Sequence, residues 1–142
     1  MLYFPYIAVK IEGAISLSTE RIEAGLVKIK EYVSEEEAER MMTADALIEL
    51  APDLRKYIVE FAYGEIYSRP GLDSKQRQLV TLASLVTQGA TTQIQTHVKR
   101  ALTVGLTKTE IVESIMQLIP YVGFPRVQTA LTAAQEILEQ EK

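Results

Sequence analysis

His97, in the stretch QTHVKRALTVG at 95–105, is the single histidine of a 142-residue chain that has no cysteine and no tryptophan. Imidazole is the side chain that ordinarily changes charge near neutrality, so acid–base chemistry in this chain starts from it. It follows Ile94 by three residues and precedes Ala101 by four, in or beside the apolar stripe of a helix. Two readings are open there. The ring is either a partly desolvated acid–base group tuned by a neighbouring charge, or a packed histidine giving one hydrogen bond to a carbonyl. Lys99 and Arg100, just after it, read as a solvated face, with contact to an anionic ligand as the lesser alternative.

Two further segments carry groups that could work with it. In FAYGEIYSRPGL, 61–72, Glu65 offers a second carboxylate, and Arg69 offers the planar fork that binds a substrate carboxylate through two hydrogen bonds. The alternative there is that Tyr63, Ile66 and Tyr67 pack while Glu65 and Arg69 are surface charges. In PYVGFPR, 120–126, Tyr121 could donate a hydrogen bond, and Arg126 stands near a helix N-terminus that already favours anions.

Other chemistries find little support. One histidine and no cysteine is a poor start for a transition-metal site. No G-x-S-x-G elbow and no glycine loop of the Walker or Rossmann pattern is present, so no nucleotide cofactor is expected. A net charge of −4 argues against binding a polynucleotide backbone. The first 17 residues are apolar, but Pro5, Lys10 and Glu12 interrupt them, so they read as a packed arm and not a membrane span. Cytoplasm is the expected compartment.

The elements that must position these groups read as helices from residue 18 onward. Ile22, Leu26, Ile29 and Val33 recur at helical steps. Ser34 with Glu37 opens a second helix, and the run EEEAE reads as its solvated start. Pro52 fits a helical first turn, and Leu54, Tyr57, Ile58, Phe61 and Ala62 are expected to form a core face. SRPGLD breaks that helix. Asp73 with Gln76 caps the next, roughly 74 to 88, which is apolar nearly all round and therefore central or shared with another subunit. Gly89 stops it. A helix from about 92 to 103 carries His97, Thr107 with Glu110 opens another, and PYVGFP interrupts before a last helix from about 125 to 140. That helix presents Val127, Ala130, Leu131, Ala134, Ile137 and Leu138 on one face. The fold class is all-α, about seven helices in one domain over 1–142.

FAYGEIYSRPGLDSKQRQLVTLASLVTQG and QIQTHVKRALTVGLTKTEIVESIMQLIPYVGFP, in this order and spacing, resemble the carboxymuconolactone decarboxylase family, a branch of the alkyl hydroperoxidase D-like superfamily. The likeness covers the core at 51–138, and residues 1–50 look like an N-terminal arm and helical elaboration. It implies a compact helical subunit assembling into a ring-like homotrimer or homohexamer. It also implies a carboxy-lyase, working without a cofactor on a small carboxylated lactone or related organic anion, with no nucleic acid or membrane as partner. His97 matches the family's histidine and would donate a proton or stabilise an enolate, with Glu65 and Arg69 as helpers and Tyr121 or Arg126 lining the pocket. The thiol-dependent branch places a C-x-x-C pair where Ala90 and Gln93 stand, and a glutamate where Gln78 stands. Peroxiredoxin-type activity would therefore reach this chain only as a family label, because it needs a thiolate. Gln93 stands where family members often carry a carboxylate, and Arg126 replaces a small residue after GFP. The alternative function is a non-catalytic oligomeric binding or structural protein on the same scaffold.

Overall fold

The computed structural model describes residues 19–42 and 46–140. The arm expected over residues 1–17 lies outside them. The described residues are helical, with no strand among them.

The C-terminal half shows local rules acting without conflict. Helix α5 (Ser74–Gln88) opens on Asp73, whose carboxylate accepts from the Gln76 backbone N–H at 2.8 Å while the Gln76 side chain accepts from the Asp73 N–H at 3.0 Å. It closes on Gly89, whose φ of 70° is a left-handed conformation open to glycine at no steric cost. Helix α6 (Thr91–Thr103) follows at once. Thr107 and Glu110 form the second reciprocal cap and start α7 (Lys108–Met116). Pro120 sits in a single turn, α8 (Ile119–Val122), which leads through Gly123 into α9 (Phe124–Leu138). Leu82, Val86, Ile94, Val98, Ala101, Ile111, Ile115, Val127, Ala130 and Ala134 join α5, α6, α7 and α9 in one apolar cluster. The expected face of α9 is there, with Ala133 added.

The N-terminal half is built differently. Helix α1 (Thr19–Ile29) leads through a turn to α2 (Glu35–Met42), whose first turn is capped by the Ser34 hydroxyl accepting from the Glu37 N–H at 3.2 Å. After α3 (Ala46–Leu50) and α4 (Pro52–Tyr57) the chain winds on as a π-helix over Ile58–Tyr67. Here the expected core face needs correcting. Ile58 and Ala62 pack inward, but Leu54, Tyr57 and Phe61 are exposed, and Val59 and Tyr63 are the buried residues. Leu54 and Tyr57 lie on α4, ahead of the π-helix. Within the π-helix, hydrogen bonds from i to i+5 widen the turn. A residue three positions on, such as Phe61 after Ile58, therefore swings off the inner face, while Val59, Tyr63 and Tyr67, four apart, stay on it.

Two glycines let α1 and the π-helix meet backbone to backbone. A Cβ on Gly25 would run into the Val59 carbonyl, and one on Gly64 into the Arg21 carbonyl. Tyr32, Tyr63 and Tyr67 close the seam as an aromatic trio, with ring centroids 5.8, 5.3 and 5.0 Å apart.

Candidate functional site

The site forms where these two halves face each other. His97 is carried on the inner side of α6, between the buried Ile94 and Ala101, and is 9 % exposed. Its Nδ1 lies 3.0 Å from Oε1 of Gln78, a fully buried residue one turn into α5. Its Nε2 lies 3.4 Å from Nη1 of Arg100, which is one helical turn further along α6. The Arg100 guanidinium reaches on toward α2, where its Nη2 stands 3.9 Å from the Met41 sulfur.

Burial first, and then the Arg100 charge, lower the His97 pKa from 6.5 to about 4, so the ring is neutral at physiological pH. Burial likewise pushes the Tyr63 phenol up to about 12, against the lesser opposing pull of Arg100. Among the described residues, Gln78 Nε2, Arg77 Nε and Arg100 Nε are buried donors with no hydrogen-bond partner. Buried donors of this kind are costly in an apolar setting and are suited to an anionic ligand.

Arg69 is exposed and lines a concavity with Pro70, Gly71, Leu72 and Arg77, next to Gln78 along the chain. Arg77 crosses this concavity: its Nη2 donates to the Arg69 carbonyl at 2.5 Å, and its guanidinium carbon is 5.8 Å from the centre of the Tyr67 ring. Glu65 pairs with Arg21 of α1. Tyr121 is 83 % exposed. Arg126 lies over Gly89, where a Cβ would meet its guanidinium. Gly89 ends α5, eleven residues from Gln78, or about 16 Å at 1.5 Å per residue. Within one subunit Arg126 and the His97 ring are therefore at opposite ends of α5. Glu65, Arg69, Tyr121 and Arg126 are not among the hydrogen-bond partners of the His97 ring.

Sequence reasoning missed Arg100, read as part of a solvated face; Lys99 is exposed, but Arg100 turns inward. The signal available was its position three residues after a histidine on the apolar stripe. Gln78 was marked by its alignment with a glutamate, but nothing local shows that it meets a ring nineteen residues on. Among the described residues no group of three His, Asp or Glu side chains is placed to hold a metal ion.

Fold and site together define a small helical protein with a buried neutral imidazole beside a guanidinium. The carboxymuconolactone decarboxylase family model matches residues 52–136, and the chain belongs to that family. It is 32% identical over 120 residues to the 4-carboxymuconolactone decarboxylase of Acinetobacter baylyi, covering 84% of this chain and 88% of that protein. An uncharacterised 15.0 kDa protein of Paracoccus denitrificans is 37% identical over 98 residues, 68% of this chain and 73% of that one. The nitrosuccinic acid decarboxylase of Metarhizium robertsii is 34% identical over 84 residues, 59% of each chain. A decarboxylase-like function of the carboxy-lyase kind follows at this coarse level. No helix among the described residues is long and apolar enough to cross a membrane.

Proposed function

We propose that this protein is a cofactor-independent carboxy-lyase acting on a small carboxylated lactone or related organic anion. The observation that carries this reading is the contact between Arg100 and the Nε2 of a buried, neutral His97. Decarboxylation breaks the bond to the carboxyl carbon and releases carbon dioxide. The electron pair passes into an adjoining electron-accepting group, and the resulting enolate-like carbon takes a proton. Arg100 holds an oxygen that stays with the substrate, either a second carboxylate or the developing enolate. A cation on the departing carboxylate would oppose its loss. A bound anion also offsets the Arg100 charge that opposes protonation of the ring. His97 then takes a proton from water at Nε2 and passes it to the carbon.

In this reading Arg69 and Arg77 collect the anion at the concavity beside Gln78. Glu65, held by Arg21, steadies the π-helix against α1. Arg126, at the far end of α5, would reach a substrate from a neighbouring subunit of a trimer or hexamer, and the exposed Tyr121 is open to the same approach. Exposed Leu47, Leu50, Leu54, Tyr57 and Phe61, at alternating three- and four-residue steps, support such self-association. A monomer by light scattering would contradict it.

The test is carbon dioxide release from a panel containing 4-carboxymuconolactone, nitrosuccinic acid and related dicarboxylates. We expect turnover of at least one member and a loss of about 10²–10⁴-fold in His97→Gln. Release from none would remove the enzymatic reading. The non-catalytic alternative draws support from one feature: both His97 ring nitrogens already have partners inside the protein.

A further inference from the structure

We infer that Gln78 is a positioning residue that fixes which nitrogen of His97 carries the proton: its Oε1 holds the Nδ1–H and leaves the Nε2 lone pair turned toward Arg100. A guanidinium has only N–H donors, so the ring atom 3.4 Å from Arg100 Nη1 must be an acceptor. That atom is Nε2. A neutral imidazole has one N–H, which therefore sits on Nδ1. The Gln78 atom 3.0 Å away must then accept, so it is the carbonyl oxygen and not the amide nitrogen. Turning the amide round would set donor against donor, either at Nδ1 or, after a tautomer change, at Arg100. Each assignment forces the next.

The enclosure makes this order durable. Gln78 is fully buried, and His97 is nearly so. The groups facing the ring are Gln78 from α5 and Arg100 from α6; Met41 from α2 stands against Arg100, whose charge is also felt at Tyr63 of the π-helix. No carboxylate touches the ring among the described residues. An amide accepts the Nδ1–H without adding negative charge, whereas a glutamate in its place would favour imidazolium. The Gln78 carbonyl can accept from the neutral ring and from imidazolium alike. Every proton that His97 gains or loses therefore passes through Nε2, the nitrogen beside the guanidinium. The catalytic value of this arrangement rests on the carboxy-lyase reading; the arrangement itself does not.

Because the chain has one histidine, imidazole ¹⁵N spectra of the full-length protein labelled in histidine report this ring alone. At pH 7, without substrate, the expected spectrum has a protonated Nδ1 and a bare Nε2. In Gln78→Glu the midpoint of ring protonation should rise by about 1–3 pH units. A protonated Nε2 in the wild type, or an unmoved midpoint in folded Gln78→Glu, overturns the proposal. A bare Nε2 in a protein that decarboxylates nothing on the panel would end the carboxy-lyase reading and leave the Gln78 assignment standing. A protonated Nε2 in an active enzyme would do the reverse.

Discussion

The two halves of this molecule solve the same problem, covering an apolar helix face, by different means. Around α5, α6, α7 and α9 the core is aliphatic, the helices are α throughout, and two reciprocal caps set their starts. Between α1 and the π-helix the contact is made by glycines, and the filling is tyrosine. The first kind of packing tolerates small adjustments of side chains. The second depends on backbone proximity at two points, and has less room to give. The site takes something from each: Gln78 and His97 belong to the aliphatic half, while Arg100 reaches toward Met41 and its charge is felt at Tyr63.

The largest effect on this contrast should come from the aliphatic side. Ile111 is fully buried in its cluster, and Ile111→Ala should cost about 3 kcal/mol, a deleted side chain plus the cavity it leaves. A shift of the urea midpoint worth under about 1 kcal/mol would mean that this core collapses around the gap and is softer than its packing indicates.

Acid should open the seam between the halves. His97 has a pKa of about 4 in the folded protein against 6.5 for the free side chain. Between those values the unfolded chain takes up a proton that the native ring refuses, so stability is full above pH 6.5 and falls as pH drops toward 4. The loss is about 2 kcal/mol by pH 5 and about 3 kcal/mol by pH 4. Urea midpoints of wild type and His97→Gln, compared at pH 7 and pH 5, should show this extra decline in the wild type alone. Equal declines would place the ring in a wetter setting.

Gly25→Ala probes the glycine contact with a smaller effect. In a helix interior alanine gains about 1 kcal/mol over glycine. Here the added Cβ meets the Val59 carbonyl, and overpacking against backbone outweighs that gain, for a net loss of about 1–2 kcal/mol. Gly71→Ala is the control, since nothing lies within 4 Å of a Cβ there. A stabilised Gly25→Ala protein would show that α1 and the π-helix can part without cost.

The same contrast explains what could be read from the sequence. The bounds of α5, the Asp73–Gln76 and Thr107–Glu110 caps, and the stop at Gly89 are short-range features, and each is written in adjacent residues. The buried face of the π-helix is not. An α-helical count puts Phe61 on the inner face, three residues after Ile58, and the wider winding, which no local residue type announces, turns it outward while Val59 and Tyr63 stay buried. His97 could be placed on the inner stripe of its helix, but the choice between packing and chemistry depends on what stands opposite. Gln78 and Arg100 supply that setting, one through tertiary packing and the other through a side chain folding inward from a basic pair.

In the proposed carboxy-lyase site Arg100, beside the His97 ring, holds the oxygen of the substrate that stays anionic. The direct measurement is kcat/KM on the substrate the panel identifies, for folded Arg100→Gln and Arg69→Gln beside the wild type. Removing Arg100 should cost about 10²–10³-fold, mainly in kcat, because its charge acts on the developing anion. Removing the exposed Arg69 should raise KM by less than about tenfold, as a contact made equally in ground and transition states does. An Arg100→Gln enzyme within about threefold of wild type would contradict the account, because a change below about 1 kcal/mol leaves no room for a charge acting on the transition state.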